Sequence, residues 1–298
     1  MCSSDLNNKK NTGREGERVK PAPFAYAKAK SLEHAIALLG DADGEAKVLA
    51  GGQSLIATLN MRLSTPRLLV DINGLGLSGV AVKNGIVEIG ALTRHVELER
   101  SPDIARHAPL IARAMPRIAH AAIRNRGTIG GSIAFADPAA ELPACLVALG
   151  GEIEIAGAKG TRTVKADDFF QGLFETALGP GDVLTAIRIP AAGDNTRVGF
   201  DEFARRHGDY AMVGLAANAE ADGDGFSDVR LAYFGVGATP VRARQAETAL
   251  TNGDIESAVK ALGHDLDPPS DVHSTSATKR HLAGVLLRKI AKQLGTQP

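Results

Sequence analysis

At 298 residues the chain is long enough for two domains. Its 34 Lys and Arg balance its 34 Asp and Glu, which excludes a broad electrostatic pull towards nucleic acid or an acidic surface, and no apolar run of about 18 residues offers a membrane span. The two cysteines, Cys2 and Cys145, are too few for a conventional iron–sulfur cluster or a disulfide scaffold, so a reducing cytoplasm is the expected compartment.

Residues 1–18 are polar, aperiodic and without an apolar h-region, so they are expected to be disordered and are no secretory signal. A short strand is expected at residues 24–26. Ser31 then caps a helix with Leu32, Ala35, Ile36 and Leu39 on one face, closed by Gly40. His34 on this helix reads as a surface residue. Residues 47–50 form a strand, Gly51-Gly52 turns the chain, and Ser54 caps a helix over 55–63 with apolar residues at 55, 56, 59 and 63. Pro66 stops it, and a strand over 68–72 completes a small βαβ-like unit.

A second unit spans residues 75–190. Residues 85–90 alternate as a strand, Thr93 opens a helical region to Leu98, and 109–121 is a second helix interrupted at Pro116. Thr128-Ile129-Gly130-Gly131 reads as a glycine turn. Residues 144–149 end an apolar helix, 152–155 and 183–189 are strands, and 167–174 is a loop-helix link. Beyond residue 193 the pattern changes to antiparallel strands at 200–206, 211–220 and 229–235. Asp222-Gly223-Asp224-Gly225 lacks the ligand spacing and terminal Glu of a calcium loop and is read as a hairpin turn. Helices at 241–250, 255–262 (capped by Asp254) and 276–294 finish the chain. The last is amphipathic and cationic, a solvated face with room for a subunit contact.

Two stretches carry chemistry. In Lys47 to Leu63 a strand, a glycine turn and a helix N-terminus follow one another, an arrangement whose free N–H groups favour an anion. In Arg124 to Pro143 the glycine pair lies between Arg124 and Arg126 on one side and Asp137 and Glu141 on the other. Glycine lets a ligand approach the main chain without a Cβ in the way, and successive N–H groups form a concavity for phosphate oxygens. Two such stretches can hold both phosphates of a pyrophosphate.

Ala50-Gly51-Gly52-Gln53-Ser54, Asn60-Met61-Arg62-Leu63 and Leu69-Val70-Asp71-Ile72 resemble one signature of a known family. Arg124-Asn125-Arg126-Gly127-Thr128-Ile129-Gly130-Gly131 and Ala136-Asp137-Pro138-Ala139-Ala140-Glu141-Leu142-Pro143 resemble its second. The family is the FAD-binding medium subunit of the molybdenum hydroxylases, as in carbon monoxide, xanthine and aldehyde dehydrogenases, and the resemblance runs from about Lys20 to about Leu294. It implies an α+β chain: a two-subdomain PCMH-type FAD-binding domain, residues 19–74 and 75–192, followed by a C-terminal domain of antiparallel sheet and helices, residues 193–298. It also implies that Val19 marks the true start. An intact mass from the native host that includes residues 1–18 would rule that start out.

The cofactor-binding set is then Ala50, Gly51, Gly52, Gln53, Ser54 and Leu55 from the first stretch and Thr128, Ile129, Gly130, Gly131 and Ser132 from the second, with Asp137, Glu141 and Tyr210. The amides of 51–54 and 130–132 take pyrophosphate oxygens, and the Ser54 and Thr128 hydroxyls add hydrogen bonds. Gln53 meets a ribityl or phosphate oxygen. Glu141 accepts from ribose or ribityl hydroxyls, or else is a charge at a helix N-terminus. Asp137 either serves the site or pairs with Arg124 or Arg126; those two arginines face phosphate or an interface. Arg205-Arg206-His207-Gly208-Asp209-Tyr210 matches a family stretch whose aromatic residue lies against the isoalloxazine.

No nucleophile or acid/base pair stands out, which suits a flavin that carries the redox chemistry itself. The resemblance implies that electrons from a molybdopterin large subunit pass through a [2Fe–2S] small subunit to FAD in this chain, within a dimer of heterotrimers (a heterohexamer), and on to an external acceptor. A self-sufficient flavin oxidase would need a substrate pocket with a base, and no such cluster is evident. An FAD-free scaffold subunit is at odds with the intact glycine motifs. Gly235-Val236-Gly237 lacks the third glycine of a dinucleotide fingerprint, and there is no GxxxxGK[ST].

Overall fold

The computed structural model describes residues 20–223 and 225–295. Residues 1–18, Val19 and Asp224 of the expected hairpin turn lie outside the described residues. The chain is mixed helix and sheet, and its three larger sheets follow one another along the sequence.

The first sheet contains β1 (Ala25–Lys28), β2 (Ala46–Leu49) and β3 (Leu68–Asp71), joined by α1 (Leu32–Asp41) and α2 (Leu55–Asn60). β3 lies between β1 and β2 and runs parallel to both. Ser31 caps α1 by accepting from the His34 amide, which satisfies one of the helix's free donors. The helix passes Gly40, and the chain reverses instead at Asp43 and Gly44, both with positive φ. α2 is shorter than its apolar pattern predicts because Arg62 takes a φ of 57° and turns the chain away. Of the four apolar positions assigned to its buried face, only Leu59 is buried; Ile56 and Leu63 are exposed.

The second sheet is antiparallel, in the order β4-β5-β10-β6-β7. Its strands are β4 (Val80–Lys83), β5 (Ile86–Gly90), β6 (Glu152–Gly157), β7 (Gly160–Lys165) and β10 (Val183–Pro190); β8 (Phe170–Gly172) and β9 (Glu175–Thr176) form a separate ribbon. Edge strand β7 escapes sequence reading because almost every residue in it is exposed. Between β5 and β6 come α3 (His95–Arg100), α4 (Pro102–His107), α5 (Pro109–Ala114), a 3-10 turn (Met115–Arg117), α6 (Ala121–Arg124), α7 (Ile129–Phe135) and α8 (Glu141–Ala148), with α9 (Ala166–Phe169) after β7. The break at Pro116 is as expected, since proline lacks the N–H that would continue a helix. Thr93 lies before α3 rather than in it, and its hydroxyl donates to the Gly90 carbonyl at 2.7 Å.

The third sheet is a meander of β11 (Thr196–Ala204), β12 (Ala211–Asp222), β13 (Gly225–Phe234) and β14 (Val241–Arg242). β11 starts earlier and ends earlier than expected, leaving Arg205 and Arg206 in the loop before β12. Val241 and Arg242, expected to open a helix, pair with β13 instead. Helices α10 (Arg244–Thr251), α11 (Ile255–Asp265, capped by Asp254) and α12 (Ser276–Gly295) follow.

This sheet is covered on both faces. Phe200, Ala216, Ala232 and Phe234 pack into the core of the second sheet, beside α5 and α8. Leu215, Ala217, Leu231 and Tyr233 pack against α10, α11 and α12. Burial on both faces explains why β12 is nearly all small and apolar, without strict alternation. At Gly214 an added Cβ would lie 2.0 Å from the Phe234 ring, so glycine makes the space that ring occupies.

Candidate functional site

The two glycine stretches meet backbone to backbone. A Cβ on Gly51 would lie 2.3 Å from the Arg126 carbonyl oxygen and 2.9 Å from Gly127 Cα, so only glycine permits this approach. Gly52 takes a φ of 72°, which turns the chain out of β2 into α2. Gln53 folds back, its Nε2 donating to the Gly51 carbonyl at 3.1 Å. Ser54 stands at the helix start but its hydroxyl makes no capping bond, contrary to expectation, because its own φ and ψ are already helical. Among the described residues, the main-chain N–H groups of Gly51, Gly52, Gln53, Ser54 and Leu55 have no protein acceptor. The carbonyl of Ala50, just before them, accepts from Asn73 Nδ2 at 2.9 Å.

The second stretch is built differently. Ile129, Gly130 and Gly131 open helix α7 and none has a positive φ, so the expected turn is the first turn of a helix. Thr128 is its N-cap, with Oγ1 accepting from Gly131 N at 3.1 Å. Ile129 N donates to the Thr93 carbonyl at 3.1 Å, Gly130 N to Ala91 at 2.9 Å and Ser132 N to Thr128 at 3.0 Å. The amides expected to hold phosphate at 130–132 are therefore already used. Gly130 is glycine because a Cβ would lie 2.6 Å from that of Ala91. This half of the site is rigid wall, and the free donors are on the first stretch.

At the other end of α7, the Ala139 amide donates to Asp137 Oδ1 at 2.9 Å, and the Tyr210 hydroxyl lies against the same carboxylate. Asp137 does not pair with Arg124 or Arg126. Arg124 forms an ion pair with Glu99 at 2.9 Å and donates to the Ile118 carbonyl, and the Arg126 side chain is exposed. Tyr210 directly precedes β12 and is 65% exposed, leaving its ring face open. Seven residues of α7 span roughly 10 Å between the two groups of candidate residues.

Glu141 heads α8 and is only 8% exposed. Burial, reinforced by the nearby Glu202 and Asp137 carboxylates, pushes it up to about 8, so it stands as a neutral acid rather than the expected carboxylate. A neutral carboxyl both donates and accepts, which still suits a hydroxyl partner. Glu202 of β11 is equally buried, with Oε2 unpartnered among the described residues, and burial pushes it up to about 7.

Sequence reading missed Asn73, Arg94, His95 and Glu202. His95 is 5% exposed beneath Gly127, and neither ring nitrogen has a hydrogen-bond partner among the described residues. Burial, then the Arg124 and Arg94 charges, push it down to about 4 against an opposing pull from the Thr128 backbone. The signal for His95 was its place two residues after Thr93, at the start of a helix. For Asn73, Arg94 and Glu202 no local signal exists.

Two family models cover the chain. One, described as the FAD binding domain in molybdopterin dehydrogenase, matches residues 22–192, and the other, the CO dehydrogenase flavoprotein C-terminal domain, matches residues 199–294. The alpha subunit of the 6-hydroxypseudooxynicotine dehydrogenase complex of Paenarthrobacter nicotinovorans is 39% identical, the match covering 93% of this chain and 96% of that one. The carbon monoxide dehydrogenase medium chain of Hydrogenophaga pseudoflava is 34% identical, covering 90% and 96%. The solved structure of reconstituted CO dehydrogenase from Oligotropha carboxidovorans superposes with a TM-score of 0.90 at 34% identity, over 93% of this chain and 99% of that one. The free amides from Gly51 to Leu55 fit an anionic dinucleotide such as FAD. The chain belongs to the molybdenum hydroxylase family, as an FAD-binding medium subunit of its oxidoreductases.

Proposed function

We propose that this chain is the electron-relaying flavoprotein of a molybdenum hydroxylase complex, between a [2Fe–2S] small subunit and an external acceptor. A molybdopterin large subunit oxidises the substrate, and the complex is a dimer of heterotrimers. Residues 19–74 and 75–192 form the two halves of the FAD-binding domain, and residues 193–298 the C-terminal domain. The observation that carries the cofactor's placement is the run of five amides from Gly51 to Leu55, unpartnered among the described residues, against the wall at Arg126 and Gly127.

Those amides, with Gln53 and the Ser54 hydroxyl, would receive pyrophosphate oxygens; Ala50 sets the start of the turn. Thr128, Ile129, Gly130, Gly131 and Ser132 form the opposite wall. Glu141 would pair with a ribose or ribityl hydroxyl, and Asp137 orients Tyr210, whose exposed ring would take the isoalloxazine. FAD supplies one- and two-electron redox chemistry, and this chain's residues bind it, fix its plane and exclude water.

The test is anaerobic mixing of the FAD-loaded chain with its co-expressed, dithionite-reduced [2Fe–2S] partner. The proposal predicts that the cluster reoxidises as the flavin absorbance bleaches. A flavin that stays oxidised while the cluster stays reduced contradicts it.

A further inference from the structure

Asn73 and Arg94 lie at the seam of the two glycine stretches. Asn73 follows β3; its Nδ2 donates to the Ala50 carbonyl at 2.9 Å and to Asp71 Oδ1 at 2.7 Å. Its own amide also donates to Asp71 Oδ1 at 2.9 Å, while Tyr26 holds the other Asp71 oxygen at 2.6 Å. Arg94 precedes α3. Its Nη2 donates to Asn73 Oδ1 at 2.7 Å, and its Nη1 donates to the Arg126 carbonyl. One Asn–Arg pair thus grips the carbonyl immediately before each glycine stretch, Ala50 on one side and Arg126 on the other.

We propose that this pair is a clasp that fixes the two stretches in register, so that Asn73 and Arg94 set FAD affinity without touching the cofactor. The proposal rests on the FAD reading above. A planar guanidinium with two donors in a fixed fork is suited to bridging two acceptors, and a lysine is not. Both of the Arg94 groups described are spent on protein acceptors, which makes it a positioning residue rather than a phosphate ligand. A cavity of about 350 Å³ lined by Asn73, Gly74, Ser78, Leu92, Arg94 and Glu97 adjoins the clasp. Little packing therefore buttresses the seam on that side, and register depends on the hydrogen bonds.

The test is a double-mutant cycle on the full chain, stripped of FAD and titrated by flavin fluorescence. Arg94→Ala and Asn73→Ala should each weaken FAD binding roughly ten- to a hundredfold, with thermal unfolding of the FAD-free chain near wild type. The double variant should be no weaker than the worse single, because both remove one bridge. Arg94→Lys, which keeps the charge and the fold, should fall between. Wild-type affinity in folded Arg94→Ala or Arg94→Lys, or losses that simply add, would overturn the clasp. Hydrogen exchange on the FAD-free chain is independent of the cofactor. The bonded amides of Ile56 and Ile72 beside the first stretch, and of Gly127, Ile129 and Gly130 in the second, should exchange faster in Arg94→Ala, or in Arg94→Lys if the alanine variant does not fold, and unchanged rates on either side overturn the clasp. If wild type takes up no FAD the cofactor reading fails, while the exchange result still decides the clasp.

Discussion

A methyl group at Gly51 would sit 2.3 Å from the Arg126 carbonyl oxygen, closer than any real contact allows. Gly51→Ala must push the seam apart. It should cost about 1–3 kcal/mol of stability, as overpacking does, and lower FAD affinity; thermal melts and flavin titration would show both. Glu141 gives a pH signature. Its folded value, about 8, lies above the ordinary 4.5, so its contribution to stability is complete below pH 4.5, declines as the unfolded chain ionises, and is lost as pH rises through about 8. Melts of the FAD-free chain should therefore fall between about pH 5 and pH 8, and Glu141→Gln should flatten that slope. A slope identical in the variant would assign it elsewhere. At this scale the sequence showed the glycines and the tyrosine, because they sit in contiguous motifs. It could not show which amides are free: those of 129 and 130 are taken by Thr93 and Ala91, residues far away in sequence. Asn73 and Arg94 are hidden for the same reason, since each acts through partners more than twenty residues away.

Helix α7 joins the wall at Arg126 and Gly127 to the Asp137–Tyr210 end, so its start position sets both. Thr128 caps it, and Thr128→Ala should cost about 1 kcal/mol, read as a lower denaturant midpoint at unchanged slope. Its sequence looked like a turn because two adjacent glycines are poor helix formers. Close packing of Gly130 on Ala91 overrides that local preference. The opposite error occurred in α2. There the apolar spacing suggested a longer helix, but Arg62 adopts left-handed backbone and Leu63 is exposed. Periodicity recognised that a helix exists; only tertiary contact fixed where it ends.

Across the whole molecule, the third sheet shares one core with the second and forms another with the final helices. Arg230 ties them together: Nη2 donates to the Val147 carbonyl at 2.8 Å and to Asp167 at 3.0 Å, with Arg242 reaching the same carboxylate. Arg230→Ala should cost about 2 kcal/mol, since it leaves a part-buried carbonyl and carboxylate short of donors, and a calorimetric scan would register the loss. The fold class was legible because strands, glycine turns and helices alternate in an order that matched family motifs over nearly the whole chain. Edge strand β7 and short β14 were not, as neither carries the alternating apolar pattern that marks a buried face. The most direct test of the account is the visible spectrum of the purified chain, followed by identification of any flavin released on denaturation. The account predicts an oxidised-flavin spectrum and stoichiometric FAD. A folded chain that is colourless, and takes up no FAD either alone or in the co-expressed complex, would contradict it.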